Sequence, residues 1–344
     1  MLYEIPILEH VEPRTLKDAV YWLSKYGERA KVIAGGTDLL GLVKDNVTGP
    51  KLSLPQLLVD VKNIPEMRAI EYSETGLRIG AATTLTELEE SSLVMERYPM
   101  IAQAARSVAT PQIRNMGTVG GNLCQRPWCS YFRHPLFPCF KKGGKQCYAV
   151  TGDHRYYYSI LELGTCIATH PSDLAPVLLA LGASLSIVGY HGVRTVPIEK
   201  FFNGPNAILE NILEPNELLS DIQVPRDFER AHGTYLKDSI RETWDLSLAS
   251  AAVVLKMSGY ICAKARIALG GLAPFPYRAE DAERILSNSH VNEELAREAA
   301  ERAVEKARGL RMTQYKLRIA HAVVRRAILM TLGNGHASSW NTVR

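Results

Sequence analysis

The sequence predicts an α+β protein made of two glycine-turn units and a separate C-terminal strand-then-helix unit. Three observations carry that expectation. Near the N-terminus a helical stretch feeds a short apolar strand ending in Gly35-Gly36. In the middle, short strands and helices alternate up to a second glycine segment, Gly117 to Asn122. In the last third, three strand-like runs precede three strongly periodic helices. The expected division is 1–55, then 56–227 with an insertion over 123–168, then 228–344.

Residues Thr15 to Arg29 place Leu16, Ala19, Val20, Leu23 and Tyr26 on one face at helical spacing, with Pro13 before and Gly27 near the end. Lys31-Val32-Ile33 follows as a buried strand and ends in Ala34-Gly35-Gly36-Thr37-Asp38. A strand, a glycine pair, and a Thr and Asp able to cap the next turn is an arrangement that exposes consecutive N–H groups to a phosphate. A glycine pair is also how a chain makes a plain tight turn. The segment has neither the G-x-G-x-x-G of a dinucleotide fold nor the G-K-[ST] of a P-loop, which excludes a nicotinamide Rossmann domain and an NTPase.

The Pro- and Lys-bearing stretch Gly49–Pro55 marks the first division. Beyond it, Gln56–Val61, Met67–Tyr72 and Gly76–Ile79 read as strands, and Thr84–Ser92 and Met100–Ser107 as helices. Thr110 to Met116 places polar side chains just ahead of Thr118, Gly120, Gly121 and Asn122, where they can reach what the glycines approach. His170-Pro171-Ser172-Asp173 precedes an apolar helix, Leu174–Leu181, with Ser172 or Asp173 as its cap. Ser184–Tyr190 and Val193–Pro197 form a hairpin, and Leu218–Val224 a further strand. Tyr235–Lys237, Ala251–Met257 and Ala263–Leu269 are the last strands; Gly270-Gly271, Pro274 and Pro276 end the sheet. Ala279–Asn288, Glu293–Ala307 and Thr313–Leu332 are helical by period.

The chain is long enough for two or three cores, and its 46% hydrophobic and 22% charged composition is that of a globular protein. Its net charge of +4 is spread without a long single-sign block, which argues against nucleic acid as a main partner. The apolar runs are shorter than the roughly 20 residues a bilayer span needs. Met1 to Pro6 lacks the basic and apolar regions of an export signal, so a cytoplasmic location is expected. In a reducing compartment the cysteines read as metal-binding or redox-active rather than as disulfides.

Five of the six cysteines follow the second glycine segment. From Cys129 the spacing is C-x9-C-x7-C-x18-C, through Cys139, Cys147 and Cys166, which matches neither the short ferredoxin run nor a two-knuckle zinc site. Four thiolates on an irregular loop wrap either one [4Fe–4S] cluster or one Zn²⁺, and spacing leaves both open. Lys141, Lys142, Lys145, Arg126 and Arg133 offer countercharge, and Trp128, Tyr131, Phe132, Phe137 and Phe140 offer a dry surround. Cys124 is an extra candidate, Cys262 reads as core, and the run Tyr156-Tyr157-Tyr158 has no assignment.

Several segments together resemble the flavin-binding middle subunit of the molybdenum hydroxylase family, which includes xanthine dehydrogenase and carbon monoxide dehydrogenase. They are Ala34–Leu39, Gly117–Asn122, His170–Leu174, the Tyr235-x-Lys237-x-x-x-Arg241 spacing and Ala268–Pro274. The resemblance spans nearly the whole chain and implies an FAD-binding fold of the PCMH/vanillyl-alcohol-oxidase type. It implies that Ala34, Gly35, Gly36, Thr37, Asp38, Thr110, Thr118, Gly120, Gly121 and Asn122 cradle FAD. It further implies that Asp173 contacts the nucleotide part and that Lys237 approaches the isoalloxazine ring, where a cation favours the reduced, anionic flavin. The cysteine loop is similar to that of a narrower branch, with 4-hydroxybenzoyl-CoA reductase and periplasmic-type aldehyde oxidoreductases. There the flavin subunit carries an inserted [4Fe–4S] cluster, which implies Cys129, Cys139, Cys147 and Cys166 as ligands.

The function so implied is electron transfer within a heterotrimer, often doubled. A small subunit carries [2Fe–2S] clusters, a large one the molybdopterin cofactor, and an external donor or acceptor completes the route in either direction. Two other readings are a stand-alone FAD-dependent oxidase with a structural zinc site and a zinc-stapled interaction protein.

Overall fold

The computed structural model describes residues 6–333; residues 1–5, on which the reading of no export signal rests, lie outside them. Helix Leu16–Tyr26 begins where expected because Thr15 Oγ1 accepts from the Asp18 N–H (3.1 Å), and it ends at Gly27 with φ +55°. It buries Ala19, Val20 and Leu23 beside a parallel three-stranded sheet in the order Glu9–Val11, Leu57–Asp60, Ala30–Ile33. Leu57–Asp60 lies past the expected division at residue 55, yet it is the middle strand here, buried at all four positions as a central parallel strand requires.

The second sheet is antiparallel, in the order Ile70–Ser73, Gly76–Gly80, Leu218–Val224, Ser184–Gly189, Gly192–Pro197. Its second strand pairs with Leu218–Val224, Leu77 opposite Val224, so everything from residue 81 to 217 departs from one strand and returns to its neighbour. The helices between those two strands, the second glycine segment and the cysteine loop hang from that gap. Thr84 and Glu87 form a full capping box on helix Leu85–Glu90. A further helix, Ser92–Arg97, escapes the sequence reading because six residues are too few for a period to show.

The third sheet runs Tyr277–Arg278, Ile261–Gly270, Ala249–Ser258, His232–Asp238. The three long strands are those expected; the two-residue edge strand after Pro276 carries no alternation to read. Helices Glu280–Leu286, Glu293–Val304 and Lys316–Gly333 are joined to it by a core of Ala, Val, Leu and Ile. The other edge, His232–Asp238, packs on helix Pro99–Arg106, and the Tyr235 N–H donates to Gln103 Oε1 (3.0 Å). The cysteine loop has a small core of its own, in which Phe132, Tyr158 and Ile167 join Leu42 and Val47. No helix among the described residues is long and apolar enough to cross a membrane.

Candidate cofactor sites

The two glycine segments meet back to back. A Cβ on Gly35 would stand 1.9 Å from the Met116 carbonyl oxygen, and one on Gly117 3.5 Å from Thr37 Oγ1. Gly36 has φ +71°, the left-handed region that glycine tolerates. Among the described residues, the N–H groups of Gly35, Gly36, Thr37 and Asp38 have no protein acceptor, so they form a run of open donors.

The second segment differs from expectation. Val119–Cys124 is a short helix, and its N–H groups are already taken: Val119 donates to Thr83 O (2.9 Å), Gly120 to Ala81 O (2.8 Å) and Gly121 to Thr118 Oγ1 (3.2 Å). Gly120 serves close packing, since a Cβ there would stand 2.8 Å from that of Ala81. The first segment therefore presents an anion with a run of backbone donors, whereas in the second, among the described residues, Thr118 alone keeps an open N–H.

Gly35→Ala is expected to cost about 3 kcal/mol, because its contact is with backbone that cannot rotate away. Gly204→Ala, with open space around it, should stay within about 0.5 kcal/mol. Urea unfolding of both variants is the check, and equal midpoints would refute the close approach.

Between the first two units and the edge of the third sheet lies a cavity of about 210 Å³. Of the residues expected to hold FAD, Thr37, Asp38, Thr118, Gly121, Asn122 and Asp173 line it. Ala34, Gly35, Gly36, Thr110, Gly120 and Lys237 are not on its wall. Thr110 caps helix Pro111–Met116, its Oγ1 accepting from the Ile113 N–H (3.4 Å). Tyr157, Trp244 and Asp245, which no local pattern singles out, also line the cavity, as do Arg241 of the quoted spacing and Trp128, expected around the cysteines instead.

Asp38 does not cap the helix that follows it. Its carboxylate instead accepts from the Arg126 N–H (2.9 Å) and from Arg133, which ties the first glycine turn to the start of the cysteine loop. Arg133 in turn lies 4.2 Å over the Trp128 ring. Asp173 is not a cap either. Ser172 takes that role, accepting from the Ala175 N–H (3.0 Å) while donating to Asn122 Oδ1 (2.5 Å).

The Asp173 carboxylate, 2% exposed, receives the Tyr235 hydroxyl (2.6 Å) and the Lys237 ammonium (2.7 Å). Residues two apart on a strand share a face, which is why a Tyr-x-Lys pair reaches one carboxylate. Lys237 also donates to Ser107 O (3.0 Å) and Asp245 O (2.8 Å), so its three N–H groups are used. What it contributes to the cavity is charge, delivered through Asp173.

His170, beside this cluster, is buried edge-on against Phe202, and burial pulls its pKa down to about 4. Between that value and the ordinary 6.5 the unfolded chain binds a proton that the native chain refuses. The stability linked to neutral His170 is therefore complete above pH 6.5 and lost as pH falls toward 4, by roughly 3 kcal/mol in all. His170→Asn should flatten the decline of Tm over that interval; an unchanged slope would assign the decline elsewhere.

The four cysteines predicted as ligands converge. Cys129, Cys139, Cys147 and Cys166 all line one small cavity, with Phe132, Tyr148 and Lys141 around them. The space is about 10 Å³, and Cys147 and Cys166 are hydrogen-bonded to each other. That contact lowers the Cys147 thiol and, together with burial, pushes Cys166 up. Burial raises Cys129 and Cys139. Among the described residues no three His, Cys, Asp or Glu groups close around one point at single-ion spacing.

The surroundings are cationic. Lys142 is wholly buried near Cys139 and Cys129, and its ammonium donates to His134 O (2.7 Å) with no carboxylate partner among the described residues. Lys141 and Arg126 share the single carboxylate of Glu210, at 3.1 and 2.6 Å. A buried cation without a countercharge is costly, so this donor set suits an anionic thiolate-bound centre. Cys124 lies apart, packed against the first core with its thiol pushed up to about 12 by burial, and Cys262 is core as expected.

This fold and cavity are those of an FAD-binding oxidoreductase subunit of the PCMH type, and comparison with known proteins gives the family. Residues 6–227 match the FAD binding domain in molybdopterin dehydrogenase, and residues 234–331 match the CO dehydrogenase flavoprotein C-terminal domain. The carbon monoxide dehydrogenase medium chain of Hydrogenophaga pseudoflava is 31% identical over 94% of this chain and 96% of its own. The aldehyde oxidoreductase FAD-binding subunit PaoB of Escherichia coli is 34% identical over 75% of this chain and 79% of its own. Among solved structures, quinoline 2-oxidoreductase from Pseudomonas putida 86 superposes with a TM-score of 0.76 at 25% identity, covering 96% of this chain and 99% of that one. The chain belongs to the FAD-binding medium subunits of the molybdenum hydroxylase family.

Proposed function

We propose that the chain is the electron-transfer subunit of a heteromeric, molybdenum-dependent hydroxylase, dehydrogenase or reductase, and that it carries a [4Fe–4S] cluster beside its FAD. Electrons would pass between [2Fe–2S] clusters of a small subunit and an external donor or acceptor, with a large molybdopterin-binding subunit turning over the organic substrate. The observation that carries the reading is the meeting of four cysteines from an irregular loop at one buried, cation-flanked cavity. Entry of a cluster would replace the Cys147–Cys166 hydrogen bond. When bound, FAD supplies two-electron chemistry and the cluster single-electron steps.

In this reading the open N–H groups of Gly35, Gly36, Thr37 and Asp38 hold the FAD pyrophosphate, with Ala34 ending the strand beneath them. Thr118, Gly121 and Asn122 wall the nucleotide, while Gly120 and Thr110 hold that wall in place. Asp173 contacts the nucleotide, and Lys237, expected at the isoalloxazine ring, holds that carboxylate in place through their ion pair. Cys129, Cys139, Cys147 and Cys166 are the cluster ligands. The working units for FAD are the expected 1–55 and 56–227, with the loop 123–168, once the first is extended through its central strand Leu57–Asp60, and the third unit is 228–344. We place the complex in the cytoplasm, where thiolates stay reduced.

Anaerobic purification with counts of flavin, iron, sulfide and zinc tests the proposal. About four iron and one FAD per chain are expected, with molybdenum and two further subunits co-purifying. Zinc in place of iron, with FAD retained, would reduce the cysteine loop to a structural staple.

A further inference from the structure

The segment Arg155–Tyr158 crosses from one cavity to the other without helix or long strand, yet four successive carbonyls in it are all occupied. Tyr315 OH donates to Arg155 O (2.5 Å), Thr169 N to Tyr157 O (3.1 Å), and Lys316 Nζ to both Tyr156 O (3.1 Å) and Tyr158 O (2.8 Å). The third N–H of Lys316 goes to Gly271 O (2.6 Å), at the end of the third sheet. Lys316 is fully buried and, among the described residues, has no carboxylate partner. Burial lowers its pKa to about 7. An apolar residue would fill this place at less cost if only packing were needed. A lysine ammonium is the group that offers three donors from one atom.

What the grip holds is a pair of successive tyrosines whose side chains go to two different places. Tyr157 lines the FAD cavity and donates to Asp245. Tyr158, buried, stands 3.5 Å from Cys129 Sγ. The neighbouring dipeptide repeats the pattern, since Trp128 lines the FAD cavity and Cys129 the cysteine cavity.

We infer that Lys316 is a positioning residue for both cofactor sites: by gripping the carbonyls on either side of Tyr157, it holds Tyr157 against the flavin cavity and Tyr158 against Cys129. One cation on the C-terminal helix thereby sets the wall that the two cavities share. The inference rests on the flavin-plus-cluster reading, so the wild-type complex is assayed first; absence of flavin or iron there overturns that reading rather than this one.

The test uses the full chain in its purified complex. Visible circular dichroism reports the flavin, and electron paramagnetic resonance of the dithionite-reduced sample reports the cluster. Lys316→Met is expected to shift both signatures, and Lys316→Gln, which keeps two donors, to shift them less. Thr331→Val is the control on the same helix: its hydroxyl bonds only Ala327 O, so it should lower Tm and move neither signature. Tyr157→Phe should move the flavin signal alone, and Tyr158→Phe the cluster signal alone. The inference fails if a folded Lys316 variant loses Tm while both signatures stay put, or if either tyrosine variant leaves its own signal unchanged.

Discussion

Lys237→Met is expected to cost roughly 3–5 kcal/mol of stability, the largest loss of any single substitution at the FAD cavity. Among the described residues the lysine is the only cation bonded to the buried Asp173 carboxylate, which also accepts from the Tyr235 hydroxyl. Removing it leaves an uncompensated charge beside the apolar start of helix Leu174–Ala180, which cannot be hydrated without opening the contact with Asn122 and Ser172. Lys237→Met combined with Asp173→Asn should recover most of the loss, because the double change removes both charges. Equilibrium urea unfolding of the two variants is the check. A single variant within about 1 kcal/mol of wild type would refute the dependence of this site on the Lys237–Asp173 ion pair.

Cys139→Ser should abolish cluster retention, with bound iron falling well over tenfold, since loss even of a supporting partner of a metal site costs about 10–100-fold. Flavin should stay, because Cys139 belongs to the loop's own small core and does not line the FAD cavity. Cys124→Ser is the matched control: its thiol packs in the first core, away from the cysteine cavity, so iron and flavin should both stay. Iron retained in Cys139→Ser, or lost in Cys124→Ser, would redraw the ligand set.

Periodicity and local chemistry determined much of this protein from sequence. Helix Leu16–Tyr26, strand Leu218–Val224 and the three C-terminal helices carry their 3.6 or 2 residue repeats within one window, and Thr15 and Thr84 announce their helices by local capping. The two glycine segments, the Tyr-x-Lys pair and the four cysteines were legible for the same reason, each being a short motif of fixed residue types. The choice between Ser172 and Asp173 as cap was not, because both are good caps and what separates them is the Tyr235–Lys237 face of a strand some sixty residues away.

Only the tertiary structure decided which glycine segment keeps its N–H groups open, since those of Val119 and Gly120 are spent on Thr83 and Ala81. The same holds for Asp38 on Arg133, for the uncompensated charge of Lys142, and for Trp128 and Tyr157 on the cavity wall. Every one of these is a question of where a donor finds its acceptor or a charge its partner. Those balances close between segments far apart in the chain, and a period read along the chain carries no record of them.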